Sequence, residues 1–238
     1  MEIHYVIDTF FIIFSTVLII MMVPGFAMLE AGLVRTKNVT AVLTVNVMIY
    51  AIASITFLLV GYTYAFGGWE YQNSINKYAF FLFQMAFVGK VINIMSGGIS
   101  ERSRIIPLVL FTISVSAFIY PTIVNLIWGV NFLSDTPLDI SKMHDLAGST
   151  VIHSTGGWAL LAAIIIMGPR YKRYKKNGAI QVIPASNIPL VVLGAFLLWI
   201  GWFGFNGGSV GAISTKESAD SVALTIINTN RIDNILYS

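Results

Sequence analysis

The sequence predicts an all-α integral membrane protein, a helical bundle with six full transmembrane helices and part of a seventh. Three observations predict it. Hydrophobic residues make up 56% of the 238-residue chain and charged residues 11%, against about 25% charged in an average soluble domain. The mean hydropathy is +0.79. Apolar runs recur along the chain that reach the about 20 residues a helix needs to cross a bilayer.

The runs fall at roughly 9–32, 40–66, 79–99, 105–128, 146–168 and 187–206, followed by an incomplete one at 218–230. The first follows MEIHYVIDTF, which lacks the basic start and small-residue cleavage site of a signal peptide, so it reads as a true span. The third carries Phe83 and Phe87 at i, i+4, on one face, with Lys90 and Asn93 further along. The fourth ends at Trp128. The fifth is preceded by His144 and Asp145 and carries His153. The sixth places Trp202, Phe205 and Ser209 on one face at i, i+3, i+7. The last run meets Arg231 and Asp233 and is too short to cross a bilayer.

Basic residues set the orientation. Arg35, Lys37, Arg102, Arg104, Arg170, Lys172, Arg173, Lys175 and Lys176 fall on one side, against Lys77, Lys142 and Lys216 on the other. The richer side is expected to be cytoplasmic, which places the N-terminus outside. The run from Arg170 to Lys176 is the main source of the pI near 9.1, so basicity is no argument for nucleic acid. That run fixes topology in the simplest reading; a lipid-phosphate or regulator contact is the alternative. The chain has no cysteine, which excludes disulfides and thiolate metal sites.

A short internal repeat is visible. GFAMLEAG (25–32) and GWFGFNGG (201–208) share Gly, four others, Glu or Asn, one other, Gly. Five spans separate them, an odd number, so a repeated five-span unit would cross the membrane in the opposite sense. The expected organisation is a first repeat over about 9–168 and the start of an inverted second over about 187–238.

Several side chains carry chemistry. Asp145, at the start of span 5, is placed to cap the helix, and its charge would also stabilise a cation arriving from outside. His153 lies eight residues on, about 12 Å along a helix. An ionisable residue at that depth must face protein or a cavity. Gly156 and Gly157 would let a neighbouring helix approach. Zinc is not expected, because His144 and His153 lack a third ligand. Phe83, Phe87, Trp128, Trp202 and Phe205 are packing residues taken singly; together their ring faces can attract a small cation. Ser209 can accept a hydrogen bond from the same cation.

These stretches resemble the ammonium transporter/methylammonium permease/Rhesus family, most closely its bacterial ammonium transporters. The resemblance runs through PGFAMLEAGLVRTKN, FLFQMAF, SGGISER, YPTIVNLIWG, MHDLAGSTVIHSTGGWALLAAIIIMGPR and NIPLVVLGAFLLWIGWFGFNGGS, from about residue 10 to 230. It implies a homotrimer of eleven-span subunits, each with its own pore, in the plasma (inner) membrane. By position, Phe87, Trp128 and Ser209 match the ammonium recruitment site, with Asp145 as its buried support. Phe87 and Phe205 match a stacked pore gate. His153 matches the first of two pore histidines, and Trp202 an aromatic beside them. The implied activity is passage of ammonium or ammonia through a hydrophobic pore, with deprotonation or relay at the histidine. Neither an enzyme nor a cofactor is implied. The partners implied are ammonium or ammonia, the lipid bilayer, further copies in the trimer, and a cytoplasmic regulatory protein or a fused signalling domain.

The sequence departs from that pattern in three places. It stops inside the seventh of eleven spans, so the second pore histidine has no counterpart. It ends in RIDNILYS, which does not match; a truncated or frameshifted gene or a partial chain is expected, with a natural half-length protein as the alternative. And Lys90 replaces the small or uncharged residue usual there, on a face similar to Phe87, where it would block or tune the pore. Three functions follow: an ammonium transporter, a non-conducting ammonium sensor domain of a signalling protein, or an inactive truncated remnant.

Overall fold

Segments this apolar can satisfy their backbone in lipid only by winding into helices. The computed structural model describes residues 2–230 apart from 73, 135, 138 and 141, so the divergent tail with Arg231 and Asp233 lies outside the described residues. It contains six helices long and apolar enough to span: α1 (Glu2–Leu33), α2 (Thr36–Phe66), α3 (Lys77–Ile99), α4 (Ile105–Ile127), α5 (Ser149–Met167) and α6 (Ile188–Gly208). α7 (Lys216–Asn230) has 15 residues, about 22 Å of rise against a hydrocarbon core of about 30 Å. The one β-type pairing among the described residues is an isolated bridge, Tyr174 to Ile180.

α1 begins two turns before the predicted start, and Asp8 explains why. Its carboxylate accepts from the Ile213 and Ser214 N–H groups at 2.7 and 2.9 Å and from the Ser214 hydroxyl at 2.7 Å. The polar opening of the chain is thereby tied to the α6–α7 connection. Asn76 and Asn187 cap α3 and α6, accepting from the Tyr78 and Leu190 N–H groups at 2.9 and 3.0 Å.

α3 is the central helix, buried along most of its length and packed on α1, α2 and α5. α1 and α6 form the most extensive helix pair. They run antiparallel: Gly32 meets Asn187 and Val191, Gly25 meets Gly194, and Gly204 and Gly208 meet Ser15. Both glycine motifs of the sequence repeat therefore face this seam. A Cβ on Gly194 would lie 2.6 Å from the Gly25 carbonyl oxygen, and one on Gly204 would lie 2.5 Å from that of Ser15. In lipid, association rests on such close backbone approach. Gly156 likewise lets α5 sit on α3, against Ile94 and Val91, but Gly157 meets nothing within 4 Å, which corrects its expected packing role. Ile165, Ile166 and Trp158 are exposed, as lipid-facing residues are.

The basic-rich end is fastened by Glu101. Its side chain, 1% exposed, accepts from the Arg35 N–H and guanidinium at 3.2 and 3.0 Å and from the Asn38 amide, and faces Arg170 at 3.6 Å. Arg102 donates to the Gly168 carbonyl at 2.9 Å. Three loops meet there. Burial works to raise the Glu101 carboxyl, but the Arg35 and Asn38 donors outweigh it and hold it below its ordinary value of 4.5.

Two outcomes follow, both read by thermal unfolding in detergent. Gly194→Val lowers Tm at a cost of about 1–3 kcal/mol, the usual cost of overpacking, whereas Gly157→Ala leaves Tm unchanged or raises it. The Glu101 contribution is present above the unfolded-state carboxylate pKa, near 4.5, and fades as pH falls through the lower folded-state value. Glu101→Gln should therefore lose stability at neutral pH and flatten the acid limb below pH 4.5.

Candidate functional site

The span 5 helix starts later than its hydrophobicity indicates. Residues 145–148 form a turn, Gly148 adopts φ +96°, a region open to glycine, and the helix begins at Ser149 with a wide, π-type turn. The predicted cap is present in extended form. The Asp145 carboxylate accepts from four successive N–H groups: Gly148 and Ser149 at 2.7 and 3.0 Å, Thr150 and Val151 both at 2.8 Å. Its lone pairs are thereby committed to the backbone. His153 is four residues past the helix start, so a turn and the first π-type turn replace the continuous eight-residue helix expected from Asp145 to His153.

Asp145 also positions Trp128. The indole N–H donates to the Asp145 carbonyl at 2.6 Å, and the Tyr71 hydroxyl donates to the Trp128 carbonyl at 2.7 Å. The ring is fixed at the mouth of a cavity of about 410 Å³ lined by Phe83, Gln84, Phe87, Trp128, Tyr71, Leu146 and Ser209, among others. The cavity lies at the end of the bundle with few basic residues.

Below it the aromatic rings continue as a column. Phe87 lies with its ring centroid 4.5 Å from Phe83, 5.9 Å from Trp128 and 4.8 Å from Phe205. Phe205 contacts Trp202 at 4.8 Å and His153 at 5.6 Å, and His153 lies 5.3 Å from Trp202. Phe87 and Phe205 are both fully buried, but their planes are tilted by 51° rather than stacked. The cause lies in the neighbours, since each ring also packs edge-on to a second one, Phe83 or Trp202.

Ser209 and Gln84 are polar residues in the cavity wall. Ser209 donates its hydroxyl proton to the Phe205 carbonyl at 2.7 Å, which leaves its lone pairs for an outside donor. Gln84 is buried and its Oε1 has no hydrogen-bond partner among the described residues. His153 places Nδ1 3.1 Å from the Gly148 carbonyl, which can only accept, so neutral His153 carries its proton on Nδ1 and offers Nε2 as an acceptor.

Seven of the predicted residues thus come together: Phe87, Trp128, Ser209, Asp145, Phe205, His153 and Trp202. Lys90 stands apart. Its ammonium nitrogen lies over the Tyr50 ring of α2, 6.0 Å from the centroid, and it does not line the vestibule. Gln84 and Tyr71 were missed. Gln84 was findable as a polar residue in an apolar span, three before Phe87 and so on its face. Tyr71 sits in a loop, where no periodicity points to it.

The model of the Ammonium Transporter Family matches residues 9–231. The chain belongs to the ammonium transporter family. It is 35% identical over 231 residues to ammonium transporter Amt2 of Archaeoglobus fulgidus, covering 90% of this chain and 48% of that one. It is 37% identical over 223 residues to ammonium transporter 1 member 3 of Solanum lycopersicum, covering 87% and 48%. Among solved structures, a Sensor Amt Protein superposes with TM-score 0.85 at 35% identity, over 97% of this chain and 60% of that one. Mep2 of Saccharomyces cerevisiae superposes with TM-score 0.72 at 25% identity, over 91% and 51%. The chain spans about half the length of the curated relatives it matches.

The cap gives a graded expectation. Asp145→Asn retains one acceptor oxygen and should lose less thermal stability than Asp145→Ala, which strands four buried or half-buried N–H groups at about 1–3 kcal/mol each before relaxation. An Asp145→Ala protein as stable as the parent would show that the carboxylate does not hold this turn.

Proposed function

We propose that this chain forms the recruiting half of an ammonium transporter. The observation that carries the reading is the cavity in which Ser209 has free lone pairs beside the ring faces of Phe87 and Trp128, with the unpartnered Gln84 Oε1 buried in its wall. An ammonium ion offers only N–H donors and a positive charge. Ring faces contribute about 0.5–2 kcal/mol each to a cation, more as water is excluded. The Asp145 carboxylate adds a fixed negative charge behind the cavity without touching it.

Moving the bare ion deeper costs many kcal/mol in an apolar column. Transfer of one proton to the free Nε2 of His153 leaves neutral ammonia, which an apolar passage accepts. Phe87 and Phe205 gate that step, and Trp202 keeps the histidine ring in place. The excess of basic residues at the opposite end supports a plasma-membrane orientation with the N-terminus and vestibule outside. The antiparallel α1–α6 seam supports an inverted repeat, with a first unit over α1–α5 and a second beginning at α6. In both motifs the polar member reaches the next helix: Glu30 to Asn46 on α2, Asn206 to Thr229 on α7, at 3.0 and 2.9 Å. Family membership supports a homotrimer and a cytoplasmic regulatory partner.

A second reading is favoured by one observation. The Sensor Amt Protein covers nearly the whole chain at TM-score 0.85. On that reading the same vestibule binds ammonium without conducting it, for a signalling output.

The test uses the full-length natural protein in proteoliposomes, with methylammonium uptake and binding measured in parallel. Ser209→Ala and Trp128→Leu should each raise the half-saturating concentration about tenfold, the effect of losing roughly 1.4 kcal/mol of cation binding. Saturable binding with no uptake selects the sensor. Absence of saturable binding removes both readings.

A further inference from the structure

A second polar system crosses the bundle on the side of α3 away from the vestibule. It begins at Glu30 on α1, which is 3% exposed. The Glu30 carboxylate accepts from Ser96 at 2.6 Å, and from Ser100 and the Asn46 amide at 3.0 Å each. Asn46 in turn accepts from the Asn93 amide at 3.1 Å. The Asn93 and Asn46 amides both donate in the direction of Glu30, and Asn46 also donates to the Val42 carbonyl at 3.1 Å. The far end is therefore an acceptor, the Asn93 Oδ1, which is buried and has no partner among the described residues.

Lys90 is one turn from Asn93, and Tyr50 is one turn from Asn46. The pairs Asn93/Asn46 and Lys90/Tyr50 are consecutive rungs between α3 and α2. The Lys90 Nζ lies 6.0 Å from the Tyr50 ring centroid, is 1% exposed as a residue, and has no hydrogen-bond donor target among the described residues. These two rungs carry two features of a monovalent-cation site, an aromatic face and, one turn away, a free amide oxygen. At its other end the seam meets a cavity of about 470 Å³ lined by Asn38, Ser96, Ser100 and Glu101.

We propose that a second cation site, for a small primary ammonium ion, lies between α2 and α3, and that the side chain of Lys90 fills it as a tethered ligand. Lys90 is held over Tyr50, and its role is to occupy this site rather than to plug the vestibule. The proposal stands independently of what the vestibule does.

Chemical rescue tests it in the full-length natural protein. Lys90→Ala removes a propyl chain and an amine, the shape of n-propylammonium. With saturating n-propylammonium chloride, against sodium chloride at equal concentration, the Tm of Lys90→Ala should rise about 3 °C more than that of the parent. Binding in the vestibule is common to both proteins and cancels in that difference. Adding Asn93→Leu should abolish the extra shift, and adding Ser209→Ala should leave it intact. Equal shifts in Lys90→Ala and the parent, or an extra shift that survives Asn93→Leu, would overturn the proposal. If Lys90→Ala does not fold, Lys90→Met keeps the stem, and a double-mutant cycle with Asn93→Leu reads the same site. A combined loss of Tm smaller than the two single losses together supports the shared site; strictly additive losses reject it.

Discussion

Four backbone N–H groups converge on the Asp145 carboxylate, and the geometry of the vestibule depends on that convergence. A helix that starts at a membrane boundary has orphan donors which lipid cannot satisfy. Here one side chain satisfies them and sets where α5 begins. The same residue holds the Trp128 indole through its carbonyl. Loss of the carboxylate would displace both walls of the vestibule at once, the tryptophan and the histidine helix. In the proposed scheme Asp145 therefore acts on a cation through the positions of its neighbours as well as through its charge.

The central helix separates two polar systems that would otherwise interfere. One face of α3 carries Phe83, Gln84 and Phe87 toward the vestibule. Another carries Lys90, Asn93 and Ser96 toward α1 and α2. Apolar residues such as Val88, Val91 and Ile92 fill the space between. A buried lysine one turn from Phe87 would repel a cation at the proposed site if both faced one cavity. Turning the lysine toward the Tyr50 ring on α2 removes that conflict.

The spans were legible because hydrophobicity over about 20 residues is a strong physical constraint in lipid. The shared face of Phe83 and Phe87 was legible because helical spacing fixes it. The start of α5 was not, since Leu146 and Ala147 continue the apolar run through a turn that only the φ of Gly148 reveals. The direction of Lys90 was not legible either. Its spacing of three from Phe87 allowed a common face, and a partner on α2, forty residues earlier in the chain, decides the matter. Tyr71 acts through a hydrogen bond from a loop, where sequence carries no periodic signal. Of the site, the family resemblance placed the side chains, and the structure supplied which of their polar atoms remain free.

Gly148 links capture of the cation to handling of its proton. Its N–H is one of the four donors to Asp145, and its carbonyl accepts from the Ile152 and His153 N–H groups and faces His153 Nδ1. The left-handed φ of this residue lets both ends of the peptide serve those partners in one turn. Whatever holds Asp145 in place therefore also fixes the tautomer of His153 and keeps Nε2 free. In the proposed scheme, recruitment and deprotonation are two outputs of a single turn of backbone. A substituent at position 148 would disturb both, because a Cβ there would meet the Ile152 side chain at 2.5 Å and strain the φ that the turn requires. The chemistry of the site thus rests on a residue with no side chain, which no search for reactive groups would select.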